Sequence, residues 1–246
     1  MQWQDDGLVL GARRHGETGV VLELMTEAHG RHLGLVHGGR SRRMQPVLQP
    51  GNLVRAVWRA RLDESLGSLA VEPLESATAR LMGSRLALYG VGHVAGLLRL
   101  LPERDPHPGL FAMAKVLVAH LHDEAVAPAL MVRFEVAMLA ELGVGLDLGA
   151  CAATGSNDYL AYVSPKSGRA VSAEAGEPWR DRLLRLPDFL VDRPDRRGLN
   201  APGPEDVRQG FTLTGYFLDQ RVWRPRDLPV PEERTRFVAL GTADVG

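Results

Sequence analysis

The chain has 246 residues, 45% of them apolar, and 29 basic side chains against 30 acidic ones, for a formal net charge of −1. That apolar share fills one large core or two modest ones and excludes a disordered chain. No apolar run nears the roughly eighteen residues of a membrane span, and Asp5 and Asp6 stand where a signal peptide is basic, so a cytoplasmic protein is expected. The single cysteine, Cys151, excludes an internal disulfide. Only Lys115 and Lys166 are lysines; coding bias produces such a ratio, so the arginine excess alone is not recognition chemistry.

From the N-terminus the pattern is short and strand-like, at residues 7–13, 19–26, 31–37, 53–62 and 68–73, with glycine-rich turns between and a long connection over 38–52. Five strands with a longer third connection fit a small closed barrel of the OB type, and an SH3-like barrel is the alternative. Between Ala28 and Leu62 lie seven arginines (Arg31, Arg40, Arg42, Arg43, Arg55, Arg59 and Arg61), three histidines and no acid. A sign-sorted stretch in a nearly neutral chain points to a polyanion, and phosphate fits.

In the fourth strand Val54, Ala56, Trp58, Ala60 and Leu62 alternate with Arg55, Val57, Arg59 and Arg61. One face is then apolar and the other carries three arginines about 7 Å apart, a row able to follow a nucleic-acid backbone. An edge strand protected by charge reads the same way. Arg40, Arg42 and Arg43 share the long loop with Ser41 and are expected to swing toward a backbone. Arg13 and Arg14 extend the patch if the first strand neighbours the fourth. By alternation Trp58 belongs to the core, which with Trp3 leaves this barrel little to stack on bases.

Beyond Glu75 the period changes to three-to-four over 76–101, 109–122 and 128–142, which predicts helices. The pattern dissolves into Gly, Ser, Ala and Pro over 147–178, and helical spacing returns at 179–186 and 204–223; the tail from 225 is partly helical at best. The fold class expected is a two-domain α+β chain. Residues 1–76 form the OB barrel, and 77–240 form a helical domain interrupted at 147–178. Enzyme signatures do not survive inspection. Gly90, Gly92 and Gly96 sit in a helical run with no preceding strand. His120, His122, Asp123 and Glu124 point to different sides of a helix end, and Ser164 and Lys166 have no partner base. No catalytic residue is assigned.

The segments Gly7-Leu8-Val9-Leu10, Gly16-Glu17, Leu24-Met25-Thr26-Glu27-Ala28-His29-Gly30, Gly38-Gly39-Arg40-Ser41 and Leu48-Gln49-Pro50-Gly51, with Leu160 to Val171 later, resemble the bacterial RecO family of recombination mediators. The likeness covers most of the chain in order. It implies a non-catalytic protein of the nucleoid that binds single- and double-stranded DNA and anneals complementary strands. It implies action with RecR to load RecA, an indirect partner, onto gaps covered by single-strand-binding protein, whose acidic tail the helical domain is said to bind. On that basis Arg31, Arg40, Arg42, Arg43, Arg55, Arg59 and Arg61 are the expected DNA contacts. Tyr216, Trp223, Arg221 and Arg224 are the expected tail pocket, an aromatic floor with an arginine rim.

Many members hold zinc in the insertion with two Cys-x-x-Cys pairs, whereas this chain reads Cys151-Ala152-Ala153-Thr154 and Ser172-Ala173-Glu174-Ala175. A structural zinc site needs four Cys or His ligands, so no metal and no cofactor are expected. The insertion is then ordered by packing, with Tyr159, Tyr162 and Trp179 as anchors and Cys151 as a small buried residue. A stand-alone OB module for tRNA or other RNA, and a scaffold whose arginines bind an acidic protein, are the other readings.

Overall fold

Alternating apolar residues from Gln2 onward make five strands that close on one another: β1 (Gln2–His15), β2 (Gly19–Thr26), β3 (Gly30–Val36), β4 (Leu53–Arg59) and β5 (Ser68–Glu75). A computed structural model describes residues 1–62, 64–191 and 202–243. Around the barrel the order is β1-β2-β3-β5-β4, with β3 and β5 meeting in parallel at Leu35 and Ser68. That closure is the OB arrangement and not the SH3-like alternative. A bulge between Val9 and Gly11 lets β1 curve, so that its first half, Gln2 to Leu8, pairs with β4 and its second half, Gly7 to His15, with β2.

The barrel core gathers Val9, Leu22, Leu24, Val54, Trp58 and Leu69. Residues 38–52 plug its upper end. Backbone bonds from Met44 and Gln45 to Ser41, and from Val47 and Leu48 to Met44, wind this segment into helical turns, and Met44, Val47 and Leu48 pack on the core. The swinging loop expected from sequence is therefore a fitted stopper. Asn52 locks it: its amide donates to the carbonyls of Pro46 (2.7 Å) and Val47 (3.1 Å), while its oxygen accepts from Ala77 N and Thr78 Oγ1. A buried asparagine with all four bonds made is a strong local specifier.

The predicted helix over 76–101 is broken into α1 (Thr78–Met82) and α2 (Arg85–Leu98), because Ser84 turns extended and its hydroxyl caps Ala87 N. Pro108 opens α3 (Pro108–His120). By packing, α1 to α3 belong with the barrel in a unit of residues 1–123, and residues 124–246 form a second unit. Within the first unit α2 lies on β1 and α3 on β2. β2 is consequently buried on both faces, with outward Val21 and Met25 as hidden as inward Leu22 and Leu24.

The second unit is built on α4 (Ala127–Glu141), α6 (Pro204–Leu218) and α7 (Glu232–Gly241). The insertion is a three-stranded sheet of β6 (Leu160–Val163), β7 (Ala170–Ser172) and β8 (Leu184–Arg185), ordered β7-β6-β8, with the one-turn α5 (Ala173–Gly176). One expectation fails here, and the tail is partly helical as expected. Residues 179–186 form a 3-10 turn (Glu177–Arg182) and then β8 instead of a helix, because Leu186 N and β8 complete the free edge of β6. The tail holds a ten-residue helix, α7, since Phe237 and Arg234 have a core to enter; residues 244–246 lie outside the described ones.

Between α4, α6 and α7 sits a buried ion pair. Arg234 Nε and Nη2 donate to the Glu135 carboxylate at 2.8 and 3.1 Å, Nη2 also donates to Phe211 O, and the Thr214 hydroxyl donates to the same carboxylate. The guanidinium lies 5.8 Å from the rings of both Phe211 and Trp223.

Candidate nucleic-acid interface

OB folds bind oligonucleotides on the face of their second and third strands, between the β1–β2 and β4–β5 loops. Here α3 lies on the outer face of β2 and α2 on β1, so helices cover this part of the barrel surface.

On β4 the alternation is as expected: Val54, Ala56 and Trp58 are buried, and Arg55 and Arg59 are exposed. The strand is no edge, being paired with β1 on one side and β5 on the other. Three arginines in a 7 Å row do not form, because Val57 stands between Arg55 and Arg59, which puts them about 13 Å apart. Arg61 lies beyond the strand end. Arg55 is held by Asp6 at 3.1 Å and faces Glu72 across the strand pair, whereas Arg59 donates to the Gln2 amide oxygen at 3.0 Å. Of the row, Arg59 and Arg61 keep their charge free of carboxylates among the described residues.

The larger basic surface is the upper rim. Arg40 N donates to Thr18 O at 3.1 Å and its guanidinium bonds to Glu17 O, while Gln45 Nε2 holds the Arg40 carbonyl at 3.0 Å. These bonds fasten the plug to the β1–β2 turn. In register, Arg13 and Arg14 lie opposite Val21 and Val20, and Val20 lies opposite Val36, so Arg14 is two strand spacings, about 10 Å, from the end of β3. Gly39 permits the closure, since a Cβ there would meet the Val20 side chain. Arg13, Arg14, Arg40, Arg42 and Arg43 thus share one rim with exposed His15 and His37 and with one acid of the turn, Glu17. Among the described residues none of Arg13, Arg14, Arg42 and Arg43 has an acidic partner. β1 does neighbour β4, but over Gln2–Leu8; Arg13 and Arg14 join the plug instead of the β4 row.

Arg31 does not join either group. Its guanidinium is 15% exposed, sits 2.9 Å from Glu23 and 3.5 Å from Glu103, and donates to Leu101 O. Arg99 completes the knot on Glu23 at 2.8 Å. These acids lie outside the acid-free stretch and reach Arg31 only through folding, which ties the barrel to the connection after α2.

The expected tail pocket does not assemble. Trp223 is 3% exposed and packs on Arg234. Arg221 lies flat over Phe217 at 4.6 Å and bonds to the carbonyls of Val144 and Lys166, and Arg224 pairs with Asp219 at 2.8 Å. Only Tyr216 shows a partly open ring. In the insertion, Tyr162 is the buried anchor, and Tyr159 and Trp179 point outward.

The zinc-type position does not fit a metal. Cys151 is buried with its Sγ accepting from Ser172 N at 3.2 Å and donating to Ser172 Oγ at 3.5 Å. Burial pushes this thiol up, but hydrogen bonding to Ser172 and Thr154 outweighs it and brings the group down to about 6. One thiol and two hydroxyls replace a thiolate quartet.

Residues 1–77 match the family described as Recombination protein O N terminal, and residues 82–228 match Recombination protein O C terminal. The chain belongs to the RecO family of DNA repair proteins. It is 79% identical over 247 residues to the DNA repair protein RecO of Methylobacterium nodulans, covering 100% of each chain. To that of Methylorubrum extorquens it is 72% identical over 243 residues, 98% of this chain and 99% of the relative. To that of Brucella abortus it is 54% identical over 244 residues, 99% and 97%. RecO relatives thus match the barrel, both helical regions and the insertion together. Among the described residues no helix is long and apolar enough to cross a membrane, and no three His, Cys, Asp or Glu side chains gather as metal ligands.

Proposed function

We propose that this chain is a recombination mediator that binds single- and double-stranded DNA through the rim of its barrel, without turnover. In this reading residues 1–76 are the DNA-binding domain, with Arg42, Arg43, Arg13 and Arg14 as phosphate contacts, Arg40 as the tie that sets them, and Arg59 and Arg61 as a second, smaller group. Residues 77–240 are the helical domain. The observation that carries it is the rim itself: exposed guanidiniums without acid partners among the described residues, at the end of β1 and on the hydrogen-bonded plug. Neutralised phosphates release counterions, so binding is favourable at low salt and indifferent to sequence. Two backbones so neutralised can approach, which is what annealing requires.

With RecR, the same binding would place the protein on gaps covered by single-strand-binding protein and help load RecA. Trp3 is stacked between His29 (4.3 Å) and Trp58 (5.8 Å), so the barrel supplies phosphate contacts and no open tryptophan face. The test is an anisotropy titration with labelled DNA and RNA oligonucleotides at two salt concentrations, alongside annealing of complementary strands. Steep salt dependence and annealing are expected. A clear preference for RNA would support an RNA-binding module, and absence of nucleic-acid affinity would support a scaffold for an acidic partner; either refutes the mediator.

A further inference from the structure

Round the other side of the barrel, by way of β2, β3 and β5, the register joins the rim to β4. Arg13 pairs with Val21, Val21 with Leu35, Leu35 with Ser68, and Ser68 with Arg59. These residues form one cross-strand row, and residues opposite one another in a row point to the same face. Arg13 and Arg59 are therefore the two ends of a single line of four strand spacings, about 19 Å round the barrel. Both are exposed, whereas Val21 between them is buried, so the open way from one to the other lies a step nearer the barrel mouth.

That next row carries two histidines. His15 pairs with Gly19, and His37 follows Val36, the partner of Val20, which sets His37 beside Gly19 on its other side. The two histidines thus flank a residue without a side chain, two strand spacings or about 10 Å apart. Leu35 floors the gap, since a Cβ on Gly19 would lie 3.1 Å from its Cδ1. Both histidines are exposed, and among the described residues neither is ion-paired. Around them stand Arg13 and Arg14 of β1, Arg40, Arg42 and Arg43 of the plug, and Arg59 and Arg61 at the end of β4. The exposed acids on this side are Glu17 of the β1–β2 turn and Glu64 of the β4–β5 connection, so positive charge prevails.

We propose that His15 and His37 are phosphate contacts that bridge the rim arginines to Arg59 and Arg61, so that a single DNA strand follows one continuous path across this end of the barrel and binds with proton uptake. The inference rests on the DNA-binding reading above and turns its two basic groups into one site. A span of about 19 Å suits the short end of the about 4–16 nucleotides that an OB fold holds. An imidazole in water is half charged near about pH 6.5, and a phosphate beside it favours the charged form. Arginine stays charged throughout, so the histidines are the groups that make this path sensitive to pH near neutrality.

The test uses the full chain, rhodamine-labelled oligo(dT) of about eight nucleotides, and anisotropy at constant ionic strength. From about pH 7.5 to about pH 6 the parent's affinity should rise about 5-fold or more, and that of the double variant His15→Gln with His37→Gln less than about 2-fold. The replaced side chains are exposed, so thermal melting should match the parent. Continuity is read with Arg13→Gln and Arg59→Gln made singly. On one path each removal costs this short strand about 5-fold or more at about 50 mM salt. If either left the affinity within about 2-fold, the two groups would be separate sites and the path would fall. A parent whose binding weakens with salt but ignores pH would overturn the histidine contacts while the DNA reading stands, as would a double variant with the parent's pH dependence. Failure of the parent to bind at low salt would overturn the DNA reading and the path with it.

Discussion

Replacing Arg13, Arg14, Arg42 and Arg43 together with glutamine removes four rim guanidiniums that have no acid partner among the described residues and leaves the barrel core untouched. If each neutralises one phosphate, the slope of log affinity against log salt for a single strand becomes shallower by about 0.7 per residue, or about 2.8 in all. Between about 50 and 200 mM salt the parent should then lose about 50-fold more affinity than the variant. Arg55→Gln is the internal control: Asp6 already holds that guanidinium at 3.1 Å, so its slope should shift by well under one contact. Arg40→Met separates position from contact. It releases the tie to Glu17 O and should lower affinity more than its own single charge accounts for. Anisotropy of a labelled 20-mer at several salt concentrations reads all of these. An unchanged slope in the quadruple variant, or an Arg55→Gln effect equal to that of Arg42→Gln, would refute the rim.

Glu135→Leu strands Arg234 in the core of the second unit and should cost about 3–5 kcal/mol, while pairing it with Arg234→Met should recover most of that loss in urea unfolding. Gly30→Ala should destabilise the first unit by at least about 2 kcal/mol, because Gly30 has φ +65 and a Cβ there strikes the Asp105 backbone; a melting temperature equal to the parent's would count against it. Cys151 has its pKa depressed on folding to about 6 against an unfolded value of about 8.5. Its contribution should therefore be present above the unfolded value and lost as pH falls through 6. The stability difference between parent and Cys151→Ala should accordingly shrink from pH 9 to pH 6, and a difference flat in pH would refute the bonded thiolate.

Local patterns were readable because their causes are local. Alternation in β4 put Trp58 inside and Arg55 and Arg59 outside, and turn residues separated five strands whose order only an OB barrel satisfies. The insertion was less legible: strands of two to four residues are too short for a period, and Trp179 resembles a core residue until its neighbours are known. The break at Ser84 has a signal, a capping serine after glycine, that an unbroken apolar count overlooks.

Charge shows where reading along the chain stops. The acid-free run from Ala28 to Leu62 is a fact of sequence, and all of it falls within the barrel and its plug. Which of its arginines remain available depended on groups outside the run, namely Asp6 at Arg55 and Glu23 and Glu103 at Arg31. The gain of Arg13 and Arg14 depended on the β1–β2 turn closing against the plug. Side-chain polarity and backbone preference are properties of single residues and their near neighbours, whereas the partner of a charge is whatever the fold brings within a few ångströms.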